Sequence, residues 1–276
     1  TSDALEASNV PAELRAAGVT GSTADHTDHV SDYGFDLGGP LVKDRMWFYG
    51  SYSQQEIELL RAGLVDRTVI RNPNMKVNWQ ASRNDRVSFL YFDGDRVREG
   101  RAPVVTNIFF PAATATHDQR NAYADNPFHG LWKVEDNRTF GSALFASAKL
   151  AYFNTGFQLD PVGGMDMTSG RSALLGRSFG SVNRQVNVRP QWIGAVDATS
   201  FRAMRGVAHD VKMGVAWRRV QATTETRWPG NGFLALENSA ADRRVRVFRV
   251  GGGTNQVETF SVYAGDTMQT SRLTID

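Results

Sequence analysis

Along most of the chain, apolar and polar residues alternate with a period of two. The segment 74–81 shows this most clearly, since one side carries Asn74, Lys76, Asn78 and Gln80 and the other carries Met75, Val77, Trp79 and Ala81. Residues 142–152, 185–192 and 210–218 repeat the pattern. Successive side chains of a β-strand point to opposite faces, so the pattern predicts strands with one apolar and one polar face.

The predicted strands occur in pairs that are joined by short polar turns. The pairs are 32–39 with 46–58, 68–81 with 87–97, 128–135 with 141–157, 184–200 with 207–221, and 243–250 with 256–265. Asn, Asp, Gly and Ser fill the joins, because these residues adopt turn conformations at little cost. The last join, at 251–255, also fits a loop on the opposite rim.

Much longer irregular segments separate the pairs. We expect loops at 1–30, 59–66, 98–127, 158–183 and 222–242. Helical periodicity is scarce, and only the segment 11–17 (PAELRAA) predicts a turn or two of helix. Short turns therefore alternate with long loops along the chain, although no sequence-identical repeat accompanies them.

This alternation is typical of an antiparallel up-and-down transmembrane β-barrel. A tilted strand of about 9–11 residues crosses the hydrocarbon layer, and a closed barrel pairs every backbone group without water. The outside of such a barrel is apolar, its inside is polar, and aromatic residues gather at the membrane interfaces. We expect an aromatic girdle around the first turn, formed by Tyr33, Phe35, Trp47, Phe48 and Tyr49.

Soluble all-β proteins are the alternatives. The strands are long for a sandwich, whose strands usually run about 5–6 residues, and the loops are long for a propeller. The two rivals are a secreted β-rich carbohydrate-binding or adhesion module and an enzyme on an all-β scaffold. They differ from the barrel in one observable way: either would seal its apolar face, including Trp79, Leu150, Val188 and Val215, against a second protein layer.

Composition narrows the possible functions. The 276 residues include 31 basic and 29 acidic ones, and a net charge of +2 gives no reason to expect a nucleic-acid partner. Cysteine is absent, which excludes disulfides, cysteine nucleophiles and cysteine-ligated metals. The chain does not begin with Met, and residues 272–275 look like the first part of a strand. We therefore expect a fragment of a longer protein.

Few residues are candidates for a chemical site. The segment 25–29 (DHTDH) is the most metal-like cluster, although a solvated loop explains it better. Residues 251–253 (GGG) lack the lysine and the helix of a phosphate-binding loop, and the spacing of Asp160 and Asp166 fits no EF-hand. We expect no metal, no cofactor, no catalytic residue and no enzyme activity.

The tryptophans are assigned to the membrane, with one exception. Those predicted to face lipid or to lie in the girdle are Trp47, Trp79, Trp132, Trp192 and Trp217. Trp228 lies in the long loop 222–242, where an aromatic ring suits stacking on a sugar or a peptide, and it is the one residue for which we expect ligand contact. Side chains expected to line the lumen are Lys76, Gln80, Lys149, Gln185, Arg189, Lys212 and Arg218.

Three segments resemble a known family. They are LGGPLVKDRMWFYGSY at 37–52, NPNMKVNWQ at 72–80, and GFQL at 156–159 with Pro161 and Gly163-Gly164 behind it. In this order they are similar to the start of the barrel of TonB-dependent outer-membrane receptors, in particular the Oar-like, OmpA-related subgroup. The closing residues 272–275 resemble a later strand of that barrel.

The resemblance implies a barrel of about 22 strands with an N-terminal plug domain. Such a receptor lies in the outer membrane of a Gram-negative cell, contacts its lipid, and imports an extracellular ligand with energy from the TonB complex. Residues 1–276 would supply about ten strands, the N-terminal part of the barrel. We expect the plug, the segment that contacts the TonB complex and the C-terminal strands to be missing from this chain.

Overall fold

The computed structural model describes residues 10–18, 20, 25–61, 64–101, 117–123, 128–180 and 183–275, nearly all of them in β-strands. A short α-helix, α1 (Ala12–Ala16), begins after Pro11, where the sequence predicts it, and a single 3-10 turn covers Gly230–Gly232. None of the helices in these ranges is long and apolar enough to cross a membrane. The strands are β1 (His26–Val42), β2 (Met46–Arg61), β3 (Leu64–Ser82), β4 (Asp85–Phe92), β5 (Asp95–Arg101), β6 (His117–Asn121), β7 (Gly130–Phe140), β8 (Leu144–Asn154), β9 (Gly156–Pro161), β10 (Ser169–Ser172), β11 (Arg177–Phe179), β12 (Arg184–Val188), β13 (Gln191–Met204), β14 (Val207–Arg227), β15 (Phe233–Glu237), β16 (Arg243–Val247), β17 (Gly251–Gln269) and β18 (Thr274–Ile275).

Several consecutive strands are the two halves of one longer strand. Both β4 and β5 pair with β3 in a single register, from Asn74 opposite Phe92 to Arg71 opposite Asp95. In the same way, β8 pairs with β13 and β9 pairs with β12. Both β12 and β13 pair with β14 in a single register. Joining the halves gives an antiparallel meander of ten described strands, namely β1, β2, β3, β4/β5, β6/β7, β8/β9, β12/β13, β14, β17 and β18.

The interruptions of the four divided strands lie side by side and form a seam across the sheet. The seam consists of 93–94, residues 122–123 and 128–129, Thr155, and 189–190. Backbone hydrogen bonds still join neighbouring strands at the seam, since the N–H of Asp93 donates to Pro73 O and the N–H of Arg189 donates to Thr155 O. Strands are paired on both sides of the seam, so the hydrogen-bonded order β3-β4-β7-β8-β13-β14-β12-β9-β6-β5 returns to β3.

Local sequence produces the seam. Gly130 has a φ of 80°, and a Cβ there would lie 2.5 Å from Phe92 O, so only glycine fits where β7 begins. Pro190 has no N–H to give to the ladder, which interrupts β12/β13 at the same level. We call β4, β7, β8, β13 and the residues paired with them the turn half of the sheet. The loop half is β5, β6, β9 and β12 with the adjoining parts of β2, β3 and β14.

Four of the five predicted hairpins are present. Their turns lie at 43–45, 83–84, 141–143 and 205–206. The third hairpin, predicted from strands 128–135 and 141–157, turns later than expected, because β7 continues to Phe140 before the chain turns at Gly141. The fifth hairpin is wrong, because β16 pairs with β15 while β17 pairs with β14. Residues 251–255 are the first residues of β17 and pair with 222–226 of β14, so they form neither the hairpin turn nor the loop that the sequence allowed.

The long loops contain a second, small sheet. Its strands β10, β11 and β15 lie in segments predicted to be irregular, and β10 pairs with β15 in parallel. Leu234 is buried at its centre, and Trp228, Leu236 and Phe248 pack against it. These strands have three to five residues each, which is too short for a period of two to be recognised.

The long sheet has one apolar and one polar face, as the alternation predicts. Directly opposed residues share a face, and one row of the apolar face is Val77, Phe89, Val134, Leu150, Gly194, Trp217 and Phe260. The neighbouring row of the polar face is Lys76, Leu90, Lys133, Ala151, Ile193, Arg218 and Thr259. Trp79, Leu150 and Val215 are 45%, 51% and 39% exposed, so no second layer built from the described residues seals them.

The aromatic residues after the first turn divide between the two faces. Trp47 lies opposite Asn78 and Tyr49 opposite Lys76, on the polar face. Phe48 lies opposite Val77, on the apolar face. The prediction of an outward girdle here is therefore wrong for Trp47 and Tyr49. Alternation places neighbours on opposite faces, so three consecutive aromatic residues cannot all contact lipid.

Candidate functional site

A row of aromatic side chains lies on the apolar face directly beside the seam. Tyr91, Trp132, Tyr152 and Trp192 are successive register partners on four neighbouring strands. The ring centroids of Tyr91 and Trp132 are 4.6 Å apart, as are those of Tyr152 and Trp192. Tyrosine and tryptophan favour membrane interfaces because each ring joins an apolar body to one polar group. This aromatic row marks a membrane boundary on the loop side of the apolar face.

Beyond the seam, the same face of the sheet becomes charged. The Nε of Arg67 lies 2.5 Å from a carboxylate oxygen of Glu56 and 3.3 Å from one of Glu58. The Nη1 of Arg71 lies 3.2 Å from Asp95. These side chains come from β2, β3 and β5, and they are too exposed and too densely charged for a hydrocarbon environment. The outer side of the loop half therefore faces water.

A second group of ion pairs is centred on Asp160 of β9. Gln158 donates to both carboxylate oxygens at 2.7 and 2.8 Å, and the Nε atoms of Arg120 and Arg184 each lie 3.0 Å from one of them. Burial raises the pKa of Asp160, but the hydrogen bonds from Gln158 and Arg184 and the charges of Arg120 and Arg184 outweigh it and hold the pKa below its ordinary value. The ionised carboxylate thus ties together β6, β9 and β12.

Three arginines of β5 share the polar face of the loop half. Arg96 lies opposite Ile70 and Arg98 opposite Thr68, two positions apart on one strand. Arg98 is fixed by Asp66, whose side chain is 1% exposed: its Nε donates to Oδ1 at 2.6 Å and its Nη2 donates to Oδ2. Arg101 joins this face through an irregularity in the strand.

A glycine turns Arg101 to the same side as Arg98. The register against β6 shifts between Arg98 and Arg101, and Gly100 within the shift has a φ of 70°. A Cβ at Gly100 would lie 2.2 Å from Val65 O, so another residue does not fit. After the shift, Arg101 lies opposite His117, and its Nη1 donates to Oε1 of Gln119 at 3.1 Å.

The arginine group carries more positive than negative charge. The hydrogen bond to Asp66 raises the pKa of Arg98, whereas burial and the charges of Arg98 and Arg96 lower the pKa of Arg101. Nearby, burial lowers the pKa of His117, which leaves its ring neutral and hydrogen-bonded at 2.8 Å to Asn183 O. Asp66 neutralises one of the three arginines, so the group can bind an anion that reaches the polar face.

Buried polar groups connect the seam to the aromatic row. The Oδ2 of Asp93 lies 2.8 Å from Nδ1 of His129, and the hydroxyl of Tyr91 lies 3.5 Å from the same nitrogen. Asn154 is 2% exposed, and none of the described residues is a hydrogen-bond partner for its side-chain nitrogen or oxygen. A buried amide of this kind normally binds an internal water molecule. We infer that these groups have a structural role, in which their hydrogen bonds connect the interrupted strands at the seam.

The residue predicted to contact ligand lies in the small sheet of the loops. Trp228 is partly buried, and its ring stacks on Phe248 with centroids 3.7 Å apart and planes 10° apart. It also packs against the buried Leu234. One face of the ring is therefore used in packing, and a role in ligand contact stays a prediction.

The other sequence candidates take up structural positions. His26 and Asp28 lie 3.9 Å apart near the start of β1, and within the described part of the chain no three His, Cys, Asp or Glu side chains group in a way that could hold a metal. Residues 251–253 begin β17 and pair with 224–226 of β14, so they form a strand and not a turn. Asp160 is engaged by arginines and Gln158.

The sequence matches no family model and no curated protein. The fold, however, is similar to solved outer-membrane proteins. It resembles the outer membrane transporter YddB from Escherichia coli with a TM-score of 0.66 at 12% identity, covering 89% of this chain and 32% of that one. It also resembles BauA, the ferric preacinetobactin receptor from Acinetobacter baumannii, with a TM-score of 0.59 at 11% identity and 90% and 38% coverage. The ferric-catecholate import receptor Fiu from E. coli gives 0.54 at 10% identity, with 91% and 39% coverage.

The likeness settles the fold. The chain has the architecture of an antiparallel outer-membrane β-barrel, and its apolar face is the side that such a barrel turns to lipid. It spans about a third of the length of the solved structures that it matches. Its polar face is accordingly the inner side of the barrel wall, and the arginine group lies on that side, in the loop half.

Sequence reasoning missed the arginine group. The prediction ended a strand at residue 97 and assigned 98–127 to a loop, so Arg98 and Arg101 were separated from Arg96. The alternation of Arg96, Val97 and Arg98 continues the strand pattern, so the sequence did contain a signal for extending the strand past residue 97. The shift at Gly100 was not readable, because a period of two predicts Arg101 on the opposite face.

Proposed function

We propose that the chain forms part of the barrel wall of an outer-membrane receptor that binds an extracellular ligand and imports it. The observation that carries the proposal is the combination of a lipid-facing apolar belt with an arginine group on the inner side of the loop half. The similar solved proteins are named as a transporter, a receptor and an import receptor, which supports the same role here. The resemblance of the segments 37–52 and 72–80 to TonB-dependent receptors, in particular to the Oar-like subgroup, supports assigning the proposed receptor to that class.

The arginine group would act on the ligand before it enters the barrel. Asp66 holds the Arg98 guanidinium in one position, while the charges of Arg96 and Arg101 are left for an incoming anion. Positive charge at a concave mouth raises the local concentration of an anionic ligand and its rate of association. The receptor would therefore favour ligands with carboxylate, phosphate or metal-bound catecholate groups.

Import itself depends on parts outside residues 1–276. In this proposal the chain is the N-terminal part of the barrel, and a plug domain and further strands complete it. The TonB complex supplies energy through a segment outside this chain. The surrounding partner is outer-membrane lipid of a Gram-negative cell, and the proposed role needs no cofactor and no catalysis.

The location is tested first, in cells that produce the full-length protein. We expect it in the outer-membrane fraction. Because the chain contains no cysteine, Ser147→Cys and Ala148→Cys place single thiols on the polar and the apolar face at adjacent positions. A charged, water-soluble maleimide should label the first and not the second. Release of the protein into the culture medium, with equal labelling of both, would instead favour the secreted module.

Ligand class is tested with radiolabelled iron supplied as its catecholate complex. Uptake should require the receptor and the proton gradient, and the double variant Arg96→Ala, Arg101→Ala should reduce it at least about tenfold by removing two charge-assisted contacts. Arg71→Ala, on the outer side of the same half, is the matched control and should leave uptake unchanged. Uptake that does not depend on the receptor would rule out this ligand class.

A conservative substitution separates the two roles of Trp228. Trp228→Phe keeps an aromatic ring against Phe248, whereas Trp228→Ala removes the stack and opens a cavity beside Leu234. If the ring contacts ligand, Trp228→Phe weakens binding while the protein's melting temperature stays unchanged. If the ring only packs, binding is kept in Trp228→Phe and the small sheet is destabilised only in Trp228→Ala.

A further inference from the structure

The lipid-facing side of the sheet contains a groove. In the row next to the aromatic row, Gly194 lies between Leu150 and Trp217 and has no side chain to fill the space. A Cβ at Gly194 would lie 3.6 Å from Trp217 Cε3 and 3.9 Å from Leu150 Cδ1, which is ordinary contact, so the site is open. Ala148 and Val196 are the next pair along the same strands, and both side chains are short.

Two adjoining concavities make up the groove. One of about 530 Å³ lies beside the aromatic row and is lined by Phe89, Phe128, Trp132, Tyr152 and Trp192. The other, of about 450 Å³, lies over the middle of the sheet and is lined by Ala148, Gly194, Val215, Trp217 and Phe260. Val134 and Leu150 line both, so the two concavities are continuous. The groove therefore extends from the seam toward the turn half.

The walls are well defined at the seam end. The rings of Tyr152 and Trp192 pack there with their planes tilted by 41°, and Phe128, which precedes β7, contacts Trp132 with ring centroids 6.1 Å apart. Beside Trp192 in the same row is Arg219, which donates to Gln256 at 2.9 Å. The lining of the groove is mainly apolar, although Lys133, Asp136 and Lys149 also contribute to it, and Arg219 lies next to its seam end.

From this geometry we propose that the groove binds one acyl chain of a membrane lipid in the leaflet on the loop side. The chain lies along Leu150, Gly194 and Val196, and the head group lies at the seam near Arg219. A narrow hydrocarbon groove that opens into the hydrocarbon layer matches an acyl chain in both shape and chemistry. The inference rests on the fold alone and is independent of the ligand that the receptor imports.

Packing, and not exclusion from water, would hold the lipid in place. Any acyl chain beside the barrel is already in hydrocarbon, so a preferred chain gains only van der Waals contacts with the groove walls. Filling the groove removes those contacts without changing the polarity of the surface. Gly194→Leu does this, since its Cβ has room.

The test uses the full-length receptor in phosphatidylglycerol nanodiscs, released into detergent for native mass spectrometry. We expect the unmodified protein to retain one lipid, and Gly194→Leu to lower the retained fraction about fivefold. Gly50→Leu is the matched control, because Gly50 is also on the apolar face and its Cβ would have Asn74 O at 3.9 Å as its nearest neighbour. That control should retain lipid like the unmodified protein.

A second variant that fills the groove controls for the case in which Gly194→Leu does not fold. Ala148→Leu occupies the same groove from the adjacent strand, and lipid retention should fall in it as well. Equal retention by all four proteins would overturn the proposal. A stable dimer that dissociates on filling the groove, with no lipid retained by either form, would also overturn it, because a second copy would then be the occupant.

Discussion

The turn half and the loop half are made from the same strands, yet their outward faces have opposite chemistry. On β3, Met75 and Val77 face outward in the turn half, and Arg67 and Arg71 face outward in the loop half. The strand register does not change between them. The polarity of an outward side chain therefore depends on whether lipid or water lies beside it. It does not depend on how the strands are paired.

The boundary between the two media is narrow. The aromatic row at Tyr91 and Trp132 is followed within two residues by the seam, and the first outward ion pair, Arg71 with Asp95, comes directly after it. A charged residue at mid-membrane on the lipid face of a barrel costs about 2–4 kcal/mol, whereas an exposed ion pair in water is worth about 0–1 kcal/mol. Charge is therefore inexpensive on the outer side of the loop half and costly on that of the turn half, where Asp136 lies opposite Val87 and Ala148 as a charged position on the apolar face.

The largest effect should come from breaking the buried pair of the loop half. Asp66→Ala leaves the Arg98 guanidinium, which is 14% exposed, without its carboxylate. We expect the free energy of unfolding of the full-length protein to fall by about 3–5 kcal/mol. Asp95→Ala removes the partner of Arg71, a side chain that is 27% exposed, and as the control it should change stability by less than about 1 kcal/mol. Equal losses would mean that burial does not distinguish the two pairs.

The next effect tests the apolar belt of the turn half. Leu150→Arg puts a charge on the lipid face and should destabilise the protein by about 2–4 kcal/mol in denaturant titrations from lipid vesicles. Ser147→Arg places the same side chain on the polar face of the same strand, and it should be nearly neutral. If the two variants lose similar stability, the assignment of the faces is wrong.

Acid should weaken the loop half before the turn half. The pKa of Asp160 is lowered in the folded protein, so its contribution is fully present above its unfolded pKa of about 3.9 and is lost as the pH falls through the lower folded value. Hydrogen exchange of β9 and β12 should therefore increase in that range, while exchange in β8 and β13 stays slow. In Asp160→Asn this pH dependence should disappear, and its persistence would show that another group is responsible.

The smallest effect is expected for the solvated ion pairs on the outer side of the loop half. The hydrogen bond and charge of Arg67 lower the pKa of Glu56, but these groups are solvated. Glu56→Gln should therefore change the melting temperature by no more than about 1–3 °C and should matter less at high salt. A large, salt-independent loss would mean that this face is not in contact with water.

The sequence was most informative where one physical requirement repeats along the chain. Alternation identified the strands and both of their faces, because each residue of a lipid-facing strand has to match its medium. Turns at 43–45, 83–84 and 205–206 were predictable from Asn, Asp, Gly and Arg clusters. It was less informative where strands are short, as in β10, β11 and β15, since three to five residues contain too few periods to be recognised.

By itself, then, the sequence determined that this is an antiparallel sheet with an apolar side, because local polarity fixes which side of each strand meets lipid. Only the tertiary structure decided the seam, the position of the aromatic row beside it, and the grouping of Arg96, Arg98 and Arg101 on one face. Those features depend on which residues of neighbouring strands are opposite each other. A bulge such as the one at Gly100 changes that register without leaving a period in the sequence.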